Sequence, residues 1–430
     1  LKVLILSHYW HPENGVPQRR WSWLTKILVR AGHEVVVVCP PPHHERETSF
    51  FDWIRSFFSG EQVREFGLSG EKIVRSGYFP NGNSITRKAF NQGVVSLSIL
   101  WNIFLKRGEL KGFKPDIVIG TVPAVPTSVI VPIVSYLYRV PYVIDLRDSW
   151  PELLSEGRDW NSAVGETTFR QKLLSKGPFQ ILSFVTKHLM YWSFRSAVGM
   201  IFTSSYHEND LLMRREMRGT HLRTTTIRNV FPPKSASEVK FRNVANGEPL
   251  NVLYAGTLGR AQNLTNAVEA AKIAQEKGLI VNLRFVGAGA SSRELRRQIK
   301  KLGVSGEVFG RVSAAELSDH YEWADSALVH LTNWNALEHA VPSKTYELMD
   351  IGLHISGVVR GETSELIEKL ESGDVVEPEN PEALANLWME LSKDRGRLKV
   401  SPRGKHWVIA QRDDIVPARL LEFMSDLGIS

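Results

Sequence analysis

Residues 341–352 read Val-Pro-Ser-Lys-Thr-Tyr-Glu-Leu-Met-Asp-Ile-Gly and run into the apolar stretch Leu353-His354-Ile355-Ser356-Gly357. Pro342 marks a loop, a helix opens with Ser343 near its cap, and Gly352 ends it where a left-handed residue is needed. The apolar stretch that follows is short enough for a strand buried on both faces, which belongs in a parallel α/β sheet. Open sheets of that kind bind phosphates where a loop feeds a helix N-terminus. Glu347 falls on the first turns of the helix, within reach of whatever its end holds. A carboxylate there is able to take two hydrogen bonds from the paired hydroxyls of a ribose.

The rest of the chain repeats the same alternation. Residues 3–7 and 34–39 are short apolar strands, and Trp21, Leu24 and Leu28 recur between them at helical spacing up to Gly32. That βαβ unit implies a doubly wound parallel sheet. Residues 41–112 are less regular, with an aromatic piece at 50–58 and an apolar helix near 94–105. The uncharged run 117–138 is long enough for a membrane span. Prolines at 123, 126 and 132 divide it instead into a strand at 117–121, a loop and a helix at 127–138. Further strands are expected at 142–146 and 197–203, the latter as the last of this half.

The stretch Asn229-Val230-Phe231-Pro232-Pro233, followed by a polar segment to 249, reads as a boundary. Beyond it, strands are expected at 252–254, 282–286, 308–309, 327–331, 354–358 and 375–376. Helices are expected at 264–277, 291–302, 314–323 and 381–391. A chain of 430 residues suits two domains of about 200 each. The expected division is 1–228, completed by a C-terminal helix at 406–430, and 229–405.

The single cysteine, Cys39, rules out disulfides and thiolate metal sites, and its place at a strand end predicts a buried inert thiol. Net charge of +7 with a pI near 9.3 favours anionic partners: nucleotides, anionic lipid or nucleic acid. No known nucleic-acid module is visible, so nucleic acid is not expected. The first residues enter a strand directly, so no signal peptide is expected and a cytoplasmic setting is. From 167 to 207 there is no acid before Glu208, but Arg170, Lys172, Lys176, Lys187 and Arg195 are interleaved with aromatic residues. Leu182, Val185, Leu189 and Trp192 share one helical stripe. Such a helix either lies on an anionic membrane surface or faces the core.

The block Val341-Pro342-Ser343-Lys344-Thr345-Tyr346-Glu347 resembles the nucleotide-sugar site of the family 4 retaining glycosyltransferases. Its Pro-Ser-Lys-x-Tyr-Glu form is similar to the branch that builds bacterial surface polysaccharides. The resemblance implies a GT-B architecture, two facing Rossmann-like domains with a cleft between them. It implies a UDP-sugar as donor, no cofactor and no metal, and donor contacts from Val341, Ser343, Tyr346 and Glu347, with Lys344 meeting the leaving phosphate. The loop Gly256-Thr257-Leu258-Gly259-Arg260-Ala261-Gln262 resembles the family's first phosphate-side loop. Its glycines let backbone N–H groups approach a diphosphate and Arg260 adds charge. The other reading of this loop is an ordinary turn. Gly287 and Gly289 form a second glycine turn near the nucleotide or a purely structural one. Gly310 and Arg311 resemble the strand end whose backbone holds the base.

The family's usual acidic pair is two glutamates separated by seven residues. Glu347 matches the second, but the first position holds His339, with Glu338 beside it. Either one would hold a hydroxyl of the sugar, or the sugar lacks that hydroxyl, or both are solvated loop residues. On the acceptor side, the loop Trp10-His11-Pro12-Glu13-Asn14-Gly15 resembles the family's opening loop and implicates Glu13 and Gly15. His8 and His11 lack a third ligand for a metal. The stretch Asp145 to Glu152 resembles the branch's Asp-Leu-Trp-Pro-Glu box. Asp148 is expected to act on the acceptor hydroxyl or to cap a helix, and Asp145 to hold local backbone. The loop 122–126 has no histidine, where many family members carry a catalytic one.

The implied activity is transfer of a hexose or N-acetylhexosamine to a lipid-linked saccharide by an enzyme peripheral to the inner membrane face. A nucleotide-sugar epimerase on the same fold, or a non-catalytic scaffold, are the alternatives.

Overall fold

The computed structural model describes all residues except 14, 43–50, 52, 54–64, 81–84, 123, 152–177, 233–238, 240, 241, 243 and 430. The described parts of Leu1–Ser155, Thr168–Phe231 and Ile415–Ser430 form one compact unit, and those of Pro232–Asp414 form a second. The first break thus falls at 231/232, close to the expected 228/229. The return to the first unit begins at Ile415, not at 406. The reason is local: helix Arg403–Ala410 packs on helix Ser343–Ile351 within the second unit, and a π-helical turn at Gln411–Ile415 precedes the final helix Val416–Asp426.

The first unit is built on eight strands: β1 Lys2–Leu6, β2 Glu34–Cys39, β3 Glu65–Phe66, β4 Lys72–Arg75, β5 Ile117–Val122, β6 Tyr142–Leu146, β7 Gly199–Phe202 and β8 Arg223–Thr226. Their order is β3-β4-β2-β1-β5-β6-β7-β8. All pairings are parallel except β3 with β4. The central strands are apolar on both faces because helices cover both; Val3 to Leu6 and Val35 to Cys39 are buried throughout. β4 and β8 correct the sequence reading, which saw no strand in 41–112 and ended the sheet at 203. Both are four residues long, and β8 is mostly threonine at the sheet edge, so neither shows an apolar run.

In the second unit, β9 Leu250–Ala255, β10 Val281–Val286, β11 Gly306–Phe309, β12 Ser326–His330, β13 Ile355–Val358 and β14 Gly373–Val376 form an all-parallel sheet. The order is β11-β10-β9-β12-β13-β14. The direction of winding reverses between β9 and β12, so the loops leaving these two strands flank the crevice where such sheets bind ligands. In the first unit the equivalent reversal lies between β1 and β5. Among the described residues, no helix is long and apolar enough to cross a membrane.

Candidate donor site in the second unit

The loop after β12 ends at Pro342, which caps the helix Ser343–Ile351 with extended backbone and no side-chain bond. Ser343 is therefore the first helical residue rather than the cap. Gly352 closes the helix at φ 76°, the left-handed position that a Cβ would strain. One turn in, Lys344 Nζ donates to Glu347 Oε2 at 3.0 Å and to Tyr321 Oη at 2.9 Å, while Tyr321 donates to Glu347 Oε1 at 2.8 Å. Three residues thus close a ring of bonds around one carboxylate.

Tyr321 is fully buried at the end of the helix Ala314–Trp323 and fixes the pair from below. Sequence reasoning missed it, since nothing in residues 314–323 marks one tyrosine as bound to a carboxylate 26 positions away. A carboxylate accepts about four hydrogen bonds, and at Glu347 one comes from Lys344 and one from Tyr321.

The turn after β9 is held by its neighbours. Tyr254 Oη donates to the Thr257 carbonyl at 2.9 Å, and the Gly259 N–H donates to Gln262 Oε1 at 3.2 Å. Gln262, expected against the substrate, therefore braces its own loop with that oxygen. Arg260 opens the short 3₁₀ turn that follows. Gly256 and Leu258 donate backbone bonds to Val286 and Ala288, which lock the two glycine turns together. Gly287 sits at φ 148°, and a Cβ there would lie 1.8 Å from the Gly256 carbonyl; one on Gly289 would lie 2.1 Å from that of Leu258. Close backbone approach requires glycine at both positions. The Thr332 N–H donates to the Ala261 carbonyl at 2.9 Å, tying the loop after β12 to the loop after β9. Below them, burial pushes the His330 imidazole down to about 3, so it is neutral where Asn266 meets it at 3.1 Å.

Tyr346 and Val341 are corrections. Tyr346 is 2% exposed and its ring stacks on Trp407 at 6.0 Å, so it packs the helix instead of offering a face to a ligand. Val341 is buried as well. Gly310 and Arg311 are exposed just past β11. Glu338 lies 4.0 Å from Arg360, and its carbonyl is approached by Gly361, where a Cβ would come within 2.1 Å. His339 caps the short helix Asn335–Glu338. Both stay partly accessible.

The expected acceptor residues belong to the first unit. Gly15 caps helix α1, Val16–Arg30, at φ −73°, which any residue adopts; a Cβ there would meet Gln18 Oε1 at 2.4 Å. Gln18 in turn donates to Glu13 Oε2 at 2.7 Å. Asp145 is a correction: it holds no local backbone but accepts from Arg20 at 2.8 Å and from the Trp21 indole at 2.7 Å. Asp148 reaches solvent, yet the protein around it displaces enough water to push its carboxyl up; Arg147 opposes this and Asp145 reinforces it. His8 is buried among Thr127, Ser96 and the Gln92 carbonyl. Among the described residues, no group of His, Cys, Asp and Glu is arranged to hold a metal ion.

Residues 235–407 match the family model for glycosyl transferases group 1. The fold is that of GT-B glycosyltransferases, and the stretch similar to glycosyl transferases group 1 lies in the second unit. Among known proteins, it is similar to the putative colanic acid biosynthesis glycosyl transferase WcaI of Escherichia coli K12, with 22% identity over 398 residues, 89% of this chain and 90% of that protein. Among solved structures it shares the fold of the sucrose-phosphate synthase from Thermosynechococcus elongatus, with TM-score 0.66, 13% identity and 99% of each chain covered. It likewise shares the fold of Anabaena HepE in complex with UDP-glucose, with TM-score 0.62, 14% identity and 99% of each chain covered.

Proposed function

We propose that the protein transfers a hexose or N-acetylhexosamine, with retention, from a UDP-sugar to a lipid-linked saccharide during cell-surface polysaccharide synthesis. The observation that carries this is the ring of Lys344, Tyr321 and Glu347 at a helix start beside the point where the sheet reverses. Glu347 offers a fixed carboxylate to the ribose. The N–H groups of the first helical turn, with Lys344 and Arg260, face the charge that grows on the diphosphate. That arrangement would supply the counter-charge without a metal. HepE, of the same fold, was solved with UDP-glucose, and WcaI is named for colanic acid biosynthesis; both favour this donor and pathway class.

In the reaction, the bond from the sugar C1 to the diphosphate oxygen breaks as the acceptor oxygen bonds C1 on the same face, and the hydroxyl proton passes to the departing diphosphate. Asp148 is the residue proposed to orient the acceptor hydroxyl. Glu338 or His339 would hold a sugar hydroxyl. A lipid-linked acceptor would keep the enzyme on the inner face of the membrane.

The test is a panel of nucleotide sugars incubated with and without a lipid-linked acceptor fraction, with UDP release and sugar products analysed. UDP release that needs both a UDP-sugar and the acceptor, and survives EDTA, is expected. A rearranged sugar from donor alone would favour an epimerase, and no turnover with intact UDP binding would favour a scaffold. Loss of turnover on adding EDTA would overturn the metal-free arrangement.

A further inference from the structure

Three helices of the first unit, α2 Ile85–Phe104, α3 Val125–Tyr138 and α4 Pro178–Ser196, are crossovers between strands that succeed one another in the same direction across the sheet. Right-handed crossovers in one direction fall on one face of a sheet, so the three lie side by side there. α2 packs on α3 and α3 on α4. Their inner sides are core: Val95, Ile99, Val131, Val134, Met190 and Phe194 are buried.

Their outer sides are also apolar, which a water-facing layer does not require. Leu97 and Trp101 on α2 are 69% and 55% exposed, Tyr136 on α3 is 82% exposed, and Phe184 and Trp192 on α4 are 63% and 53% exposed. Among the described residues, more than half of the exposed large apolar side chains of the whole chain lie on these three helices. A contiguous apolar face of this kind marks an interaction surface.

Charge identifies the partner. None of the three helices contains an Asp or a Glu. Their C-terminal ends share one edge of the sheet, and that edge is basic: Lys106 and Arg107 follow α2, Arg139 follows α3, and Arg195 closes α4, all exposed. Cations at helix ends complement the helix dipole in any protein. Here they also border an aromatic and aliphatic face whose three helices carry no carboxylate of their own, the pattern that suits an anionic bilayer, with aromatic side chains at the level of the headgroups.

The sequence alone pointed to residues 167–196 and 50–58 and to an electrostatic attachment. Arg170, Lys172 and Lys176 lie outside the described residues, as does most of 50–58. Lys187 sits 3.9 Å from Glu216, and Arg195 donates to the Glu216 carbonyl. The apolar stripe is what the structure displays, with Val185, Leu189 and Trp192 all exposed.

We propose that the outer face of α2, α3 and α4 is a monotopic membrane-docking surface that inserts apolar side chains between anionic lipids. It deepens the membrane-side reading of the acceptor given above. Insertion of apolar groups is not screened by salt, unlike attachment by lysines alone.

The full chain is mixed with vesicles of phosphatidylglycerol and phosphatidylethanolamine and floated on a density gradient. It should bind at low salt and remain largely bound in about 1 M NaCl, where charges are screened beyond about 3 Å. Leu97→Glu combined with Trp101→Glu should reduce vesicle binding by about tenfold or more. Tyr136→Glu, at a side chain almost wholly in solvent, should reduce it without burdening folding. UDP affinity, which reads the second unit, should be unchanged in both variants. Three results overturn the proposal: protein that stays unbound at low salt, complete release in high salt, or variants that bind as well as the parent. A concentration-dependent dimer that the variants abolish, without vesicle binding, makes the face a protein interface and overturns it too. Loss of UDP binding by the parent protein would count against the donor reading and leave the vesicle result standing.

Discussion

Each unit holds an ion pair near the point where its sheet reverses, and the two pairs differ in exposure. In the first unit the Arg20–Asp145 side chains are both 0% exposed. Arg20 also donates to the Ile227 carbonyl and to Asn229, and Asp145 also accepts from Trp21. In the second unit Lys344 and Glu347 keep 24% and 10% of their side-chain surface. A buried pair has lost its water and depends on every partner remaining in place. A half-open pair remains within reach of a newcomer. The same pairing of charges is therefore architecture in one unit and a candidate recognition site in the other.

The largest effect should come from breaking the buried pair. Asp145→Ala strands the Arg20 guanidinium in the core, and loss of one partner of such a pair costs about 3–5 kcal/mol. Urea unfolding should show that loss; a variant as stable as the parent would show that Asp145 is not architectural. The open site should behave in the opposite way. Arg260→Ala or Lys344→Ala should lower turnover by roughly a hundredfold, as removal of a donor facing transition-state charge does, with little change in the unfolding midpoint. Normal turnover in both would move the diphosphate elsewhere.

A smaller change is expected at Tyr321. Phenylalanine keeps the ring but removes the hydroxyl that joins Lys344 to Glu347, a loss of about 1 kcal/mol and so roughly a fivefold weaker UDP affinity. No change would mean that the carboxylate does not need this brace.

The smallest effect concerns a third, outlying pair. The His354 hydrogen bond, and then Arg397, hold the Asp374 carboxyl below its ordinary value, against burial. A depressed carboxyl contributes stability above the unfolded value of 3.8, and that contribution is lost as pH falls through the folded value. Asp374→Asn should therefore reduce stability at neutral pH and soften its acid dependence below about 4. An unaltered acid limb would show the pair to be inert.

The halves of the fold were legible because strand and helix alternate within short stretches, as in 1–39 and 250–286. Contiguous motifs were legible too: Lys344 and Glu347 share one helix turn, and their pairing follows from their spacing. What was not legible depends on distant contacts. Tyr321 meets Glu347 only through packing of two helices. Tyr346 looks like a site residue until Trp407 covers it. The bracing roles of Gln262 and Gly287 likewise show only once their turns are in place. The short polar strand β8 has no apolar signature. The helix around Leu97 and Trp101 is apolar on all sides, and composition cannot say which side the core takes.

The claim that the second unit binds the donor through Glu347 is tested most directly by calorimetric titration of UDP into the parent protein and into Glu347→Gln. The substitution keeps shape and volume but removes the charge that accepts from both ribose hydroxyls, a change of roughly 1.5–3 kcal/mol. The account predicts one UDP per chain for the parent, and binding weaker by about tenfold or more for the variant, with the unfolding midpoint unchanged. Equal UDP affinity in the two proteins would contradict it.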